Sequence, residues 1–273
     1  MNQTHPQKTR AVQADPIALM ALSCVAYILA IFMHEAGGHA LSCVLLGAHL
    51  KSIGAFYVDC DATQVSVAAQ RTIAASGVLV NVLVGWIFHM MLKKARGPQG
   101  RFFFWLVMAV SLLDAAGYLM FSGVSGLGDF GDGPSGFFAG ESHFLLHQVV
   151  LTVAGVGLYF VVVLLLVRAL QHVVSPEATP GQVGRLLSLS YLSGGLLALL
   201  IGLMNPYGWV LVLTSAAAST LGGTSGLLWL GYLHSSGTGI APNLNVRRNG
   251  LMLASCVLLV GFYAVLFGTG MPF

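Results

Sequence analysis

Seven stretches of this chain run for roughly twenty residues with almost no charge, about the length a helix needs to cross the hydrocarbon of a bilayer. They are Ile17 to Leu46, Thr72 to Leu92, Phe102 to Val124, Phe144 to Leu170, Leu186 to Leu203, Trp209 to Leu230 and Leu251 to Phe267. Lipid offers no partner to an unpaired backbone N–H or C=O, so only helices or a closed barrel can span it. A barrel would show short alternating segments, whereas these runs are continuous. The expected fold is all-α, a polytopic membrane bundle of about seven spans, with the lipid bilayer as its surroundings. Composition points the same way. Charged residues make up 8% of the chain, against about 25% in a soluble domain, too few to cover a surface in water. A soluble enzyme, a disordered linker and a secreted disulfide module are excluded. The net charge of +3 without a long basic run argues against a nucleic-acid partner.

The loops carry a strong charge bias. With seven spans, one side holds ten basic residues (Lys8, Arg10, Lys93, Lys94, Arg96, Arg101, Arg168, Arg185, Arg247 and Arg248) and the other only Lys51 and Arg71. Basic loops stay in the cytoplasm, so the N-terminus is expected inside. The acidic residues Asp59, Asp61, Asp129, Asp132 and Glu141 then gather at the outer face. The first span is too long for a cleaved signal peptide and lacks its cleavage pattern. The alternating segment Ile53 to Val58 suggests a short surface hairpin between the first two spans. Four cysteines without a CxxC pair lead us to expect neither a disulfide framework nor a thiolate metal site.

The chemistry concentrates in Phe32-Met33-His34-Glu35-Ala36-Gly37-Gly38-His39-Ala40. Ionisable groups inside a span are costly and mark function by default. Neutral imidazoles bind zinc, and a carboxylate beside them can take a proton from the coordinated water. The H-E-x-x-H motif does this with histidines one turn apart, but here the spacing is H-E-x-x-x-H. Positions five apart on a regular helix diverge by about 140°. A π-bulge would bring them onto one face, and Gly37-Gly38 would ease it. The alternative is that Glu35 and His39, four apart, form the facing pair and Glu35 is a ligand. We favour the bulge, which leaves every group a role. The plainer reading is a buried polar network joining helices.

Catalytic zinc needs a third protein ligand. At 1.5 Å per residue, His34 lies about 26 Å from Ile17, near the outer interface. Asp129 and Asp132, in the glycine-rich segment after the third span, fall at the same depth. His143 and His147, four apart at the start of the fourth span, are the second choice together with Asp132. Asp114 is a possible hydrogen-bond partner from nearer the middle of the membrane.

These motifs, in this order, resemble the site-2 protease family of intramembrane zinc metalloproteases. His34-Glu35 with His39 looks like the family's zinc motif. Ala75-Ser76-Gly77-Val78-Leu79-Val80-Asn81 is similar to its G-P-x-x-N element, with Val78 in place of proline. Gly128-Asp129 looks like the segment that delivers its aspartate ligand. The resemblance covers roughly residues 17 to 133. It implies Zn2+ held by His34, His39 and Asp129, Glu35 as general base, Gly77 and Asn81 in support or at the substrate, and cleavage of a membrane-protein or peptide substrate. On this reading residues 1–140 form a three-span catalytic core with a polar N-terminal tail. Residues 141–273 add a four-span bundle to the same compact unit. The competing function is a non-enzymatic transporter or scaffold that uses the His/Asp cluster for ions or helix association. The oligomeric state is not legible.

Overall fold

The computed structural model describes residues 11–273; Lys8 and Arg10, which contribute to the charge bias, lie outside the described residues. The seven expected spans are present as helices α1 (Pro16–Leu45), α2 (Val67–Lys94), α3 (Pro98–Ser125), α4 (Phe144–Leu170), α5 (Pro180–Gly202), α6 (Trp209–Leu233) and α7 (Gly250–Gly268). The chain is a polytopic membrane protein. Strands β1 (Val12–Ala14), β2 (His49–Gly54), β3 (Tyr57–Asp61), β4 (Leu244–Val246) and β5 (Met271–Pro272) lie outside the helices.

Helix α3 is the centre of the bundle. Trp105, Leu106, Val107, Met108 and Ala109 follow one another and all are fully buried, as expected of a helix that is apolar all round and enclosed by others. Helices α2 and α4 both pack along α3 rather than on each other, while α1 packs on α3, α5 and α7. Close approach depends on glycine at a few crossings. A Cβ on Gly117 would lie 2.6 Å from Gly223 Cα, so α3 and α6 meet backbone to backbone there.

Helix α6, the weakest span by hydropathy, is irregular: a π-helical segment Val212–Gly222 leads into a 3-10 turn, Gly223–Ser225. Backbone groups released by such a break need partners at membrane depth. Tyrosines supply them. Tyr191 donates to Leu221 O at 3.0 Å and Tyr159 to Gly223 O at 2.7 Å, and the Tyr159 hydroxyl accepts from Gly226 N at 2.7 Å.

The two ends of the bundle are built differently. At one end β1 pairs parallel with β4, and Arg248 forms an ion pair with Asp15 at 3.0 Å. His234 is buried there at 3% exposure, with Nε2 at 3.2 Å from Ala178 O. At the other end the expected hairpin forms from β2 and β3, with a bulge between Leu50 and Ser52. The C-terminal strand β5 joins β2, giving the order β3-β2-β5.

One expectation is corrected here. Cys43, in the last turns of α1, forms a disulfide with Cys60 of β3, their Cα atoms 6.2 Å apart. The hairpin folds back over the end of α1 and brings together two cysteines seventeen positions apart, which carry no local pairing signal. Cys24 and Cys256 are free.

Candidate metal centre

The surplus residue in the histidine motif is absorbed where the sequence suggested. From Met33 to Ala40, α1 widens into a π-helical segment and then resumes as α-helix from Leu41. The wider turn puts positions five apart on one face. His34 Nε2 and His39 Nε2 lie 3.2 Å apart, with ring centroids 4.9 Å apart. The helix next to it makes room. A Cβ on Gly38 would sit 2.6 Å from Gly77 Cα, and one on Gly77 would sit 2.5 Å from His34 Nε2. Helices α1 and α2 therefore cross at two glycines, and the missing side chain of Gly77 is the space the imidazoles occupy.

Asp129 completes the group from the loop after α3. Gly126 ends α3 in the left-handed conformation (φ 75°), and Gly128 repeats it (φ 78°). Only glycine adopts that region at little cost, so these two residues turn the chain back towards the histidines. The loop is held by Gly131 N donating to Gly128 O at 2.9 Å and Phe137 N donating to Asp129 O at 2.8 Å. Asp129 Oδ2 then lies 3.2 Å from His34 Nε2 and 3.4 Å from His39 Nε2.

The three atoms fit a metal. Their separations of 3.2, 3.2 and 3.4 Å are close to the edge of a tetrahedron with bonds of about 2.0–2.1 Å, which is about 3.3–3.4 Å. Asp129 Oδ2 is buried and has no assigned hydrogen bond among the described residues. When both rings are neutral with Nε2 unprotonated, the carboxylate oxygen and the two imidazole nitrogens present convergent lone pairs that one cation would satisfy.

Neighbouring groups orient the rings. His39 Nδ1 lies 2.8 Å from Ile73 O, a carbonyl that can only accept. Nδ1 therefore carries the proton and Nε2 keeps its lone pair for the cluster. Ser42 donates to His39 O at 3.0 Å and meets the Ser76 hydroxyl at 2.8 Å, fixing this turn to α2. His34 stacks on Tyr118, centroids 5.1 Å apart. On its other side the Asn81 amide stands 3.1 Å from His34 Nδ1 and 2.7 Å from Asp114 Oδ2.

Asn81 is fully buried, between His34 and Asp114. Tyr118 was not among the sequence candidates. Its position four residues after Asp114, on the same face of α3, was the available signal.

Glu35 is buried at 6% exposure and lines the same cavity as His39 and Asp129. The cavity is about 800 Å3 and opens at the hairpin end, with Tyr57 and Val58 of β3 and Ser215 of α6 on its walls. Asp132 lines its rim and is exposed. His143 is exposed, and His147 stacks on Phe138 with centroids 4.2 Å apart. None of these three belongs to the metal-competent group. Among the described residues that group is His34, His39 and Asp129 alone.

Fold and site together define a class: a polytopic membrane protein with a His/His/Asp cluster, enclosed by helices, that could hold a metal. No family model, curated protein or solved structure matches the chain.

Proposed function

We propose that the protein is an intramembrane zinc metalloprotease acting on membrane-protein or peptide substrates. The observation that carries this reading is the near-equilateral triangle of His34 Nε2, His39 Nε2 and Asp129 Oδ2, with Glu35 at the same cavity. Three protein ligands leave a fourth position free, the arrangement of catalytic and not of structural zinc sites. When bound, zinc would supply Lewis acidity and lower the pKa of a water to about 7. On this reading Glu35, at the same cavity, accepts a proton at its carboxylate and returns it to a leaving amine. Its neighbour His34 and the hydrogen-bonded His39 keep their ring nitrogens aimed at one point, so little reorganisation is needed during the reaction.

Strand β3 gives this reading a route for substrate. It pairs with β2 on one side only, and Tyr57, Val58 and Cys60 line the cavity. An extended peptide can add to such an open edge by backbone hydrogen bonds. A helical substrate would keep its carbonyls engaged, so pairing as a strand exposes the bond to be cut. The Cys43–Cys60 disulfide ties this strand to the helix that carries the histidines. Disulfides persist in oxidising compartments, which, with the charge bias, supports an orientation with the hairpin end outside and the N-terminus in the cytoplasm.

The test pairs metal content with hydrolysis. Glu35→Gln should retain one zinc per chain and lose peptide cleavage in proteoliposomes. Cleavage that survives in that variant removes Glu35 from the mechanism. Wild-type protein that binds no zinc under conditions where it is folded overturns the reading as a whole.

A further inference from the structure

Helices α2 and α4 lie along α3 without packing on each other, and at the end of the bundle away from the hairpin they leave a groove of about 440 Å3. His89 and Lys93 reach it from α2, four residues apart and so on one helical face. Arg168, in the last turn of α4, and His172, just beyond it, reach it from the other side, with Leu164 and Leu165 a turn deeper. Four groups that are or can become cationic thus share one opening. Among the described residues no carboxylate lies within 4.0 Å of Lys93 or Arg168.

Lysine and arginine at helix C-termini complement the helix dipole and collect on one side of a membrane. That accounts for Lys93 and Arg168 as charges. It does not account for His89, a full turn deeper, whose Nδ1 is buried without a hydrogen-bond partner among the described residues. Nor does it account for a basic mouth set over an apolar wall. Leu164 and Leu165 are 42% and 38% exposed, and at this depth what covers them is hydrocarbon. A ligand that satisfies both parts carries an anionic phosphate at one end and an acyl chain at the other. Basic pockets between helices at the membrane surface recognise such headgroups.

We propose that this groove binds one anionic phospholipid from the leaflet on the basic side of the bundle. Lys93 and Arg168 hold the phosphate, His89 and His172 add hydrogen bonds, and one acyl chain lies against Leu164 and Leu165. Free phosphate shares the headgroup chemistry but leaves the apolar wall uncovered. The site stands independently of the metal cluster, which lies at the opposite end of the bundle.

The full-length protein, delipidated in detergent, is titrated with phosphatidylglycerol, phosphatidylcholine and inorganic phosphate, and bound copies are counted by native mass spectrometry. One phosphatidylglycerol per chain is expected to persist where phosphatidylcholine does not. Lys93→Gln with Arg168→Gln should weaken it by about 30-fold, roughly fivefold per cation. Lys94→Gln with Arg247→Gln removes the same charge from the same end outside the groove and should leave binding within about twofold. Arg168→Lys should retain binding, which separates loss of charge from loss of fold. Equal binding of phosphatidylcholine, equal loss in the Lys94/Arg247 pair, or displacement of the lipid by equimolar inorganic phosphate would each overturn the proposal.

Discussion

At the hairpin end of the bundle His34 and His39 are enclosed between α1, α2 and α3, and each ring has a fixed neighbour on the side away from the cluster. At the basic end His89 and His172 border an open groove beside Lys93 and Arg168. The residue type is the same and the surroundings are opposite. Asp129 adds negative charge to the first pair, whereas lysine and arginine add positive charge to the second. An imidazole pair with a carboxylate calls for a cation, and one with ammonium and guanidinium groups calls for an anion. On the two proposals above, what a histidine pair would bind is decided by the third and fourth groups that the fold brings to it.

The strongest way to break that comparison is to separate the two ends by mutation. His39→Ala should reduce zinc from one per chain to near zero by elemental analysis and leave phosphatidylglycerol binding unchanged. Lys93→Gln with Arg168→Gln should do the reverse. A variant at either end that abolishes both would show that the two sites are coupled through α2.

Next in size is the glycine that makes room for the rings. Gly77→Ala places a methyl group 2.5 Å from His34 Nε2, and overpacking of this kind costs about 1–3 kcal/mol. Zinc affinity should fall at least tenfold, with a lower thermal midpoint in detergent. Gly157→Ala in α4 meets nothing within 4 Å and should change the midpoint by less than about 1 kcal/mol in equivalent stability, in the favourable direction.

A smaller effect is expected at Asp114, which reaches His34 through Asn81. Groups that orient a metal ligand are worth about 10–100-fold in affinity. Asp114→Leu should lose zinc affinity in that range. Asp114→Asn keeps a hydrogen-bonding group of the same shape and should lose less. Equal zinc affinity in the wild type and both variants would show that the chain from Asp114 to His34 is structural only.

The smallest effect concerns the hairpin itself. Asp61 accepts from the Thr63 hydroxyl and pairs with Lys51 at 3.1 Å, and its carboxyl is lowered from 3.8 to about 2. A depressed folded pKa gives stability that is complete above about pH 4 and is lost as the pH falls through about 2. Protection factors of amides in β2 and β3, measured against intrinsic exchange at each pH, should fall over that window in the wild type more than in Asp61→Asn.

The membrane bundle was legible because hydrophobic length is a local property. The ends of the spans were less so. Helix α5 begins at Pro180, six residues before the apolar run from Leu186, because Thr179 and Gln182 form a reciprocal capping box; hydropathy registers what lipid touches and not where a helix starts. The pairings of β1 with β4 and of β5 with β2 join segments more than two hundred residues apart, and no local pattern encodes them. At the site, His34, Glu35 and His39 were visible as ionisable groups in an apolar run. The choice of Asp129 over Asp132, His143 and His147 depended on where two left-handed glycines aim one loop.

The sequence by itself determined that this chain crosses a membrane as helices, because unpaired backbone groups have no other solution in lipid. It also determined that one of those helices must bend its hydrogen-bond ladder for two histidines to meet. Only the tertiary structure decided that an aspartate from a loop some ninety positions later closes the triangle, that Gly77 leaves it space, and that a disulfide ties the hairpin down beside it. Those outcomes depend on distances between segments remote in the chain, and such distances are set by how the helices pack.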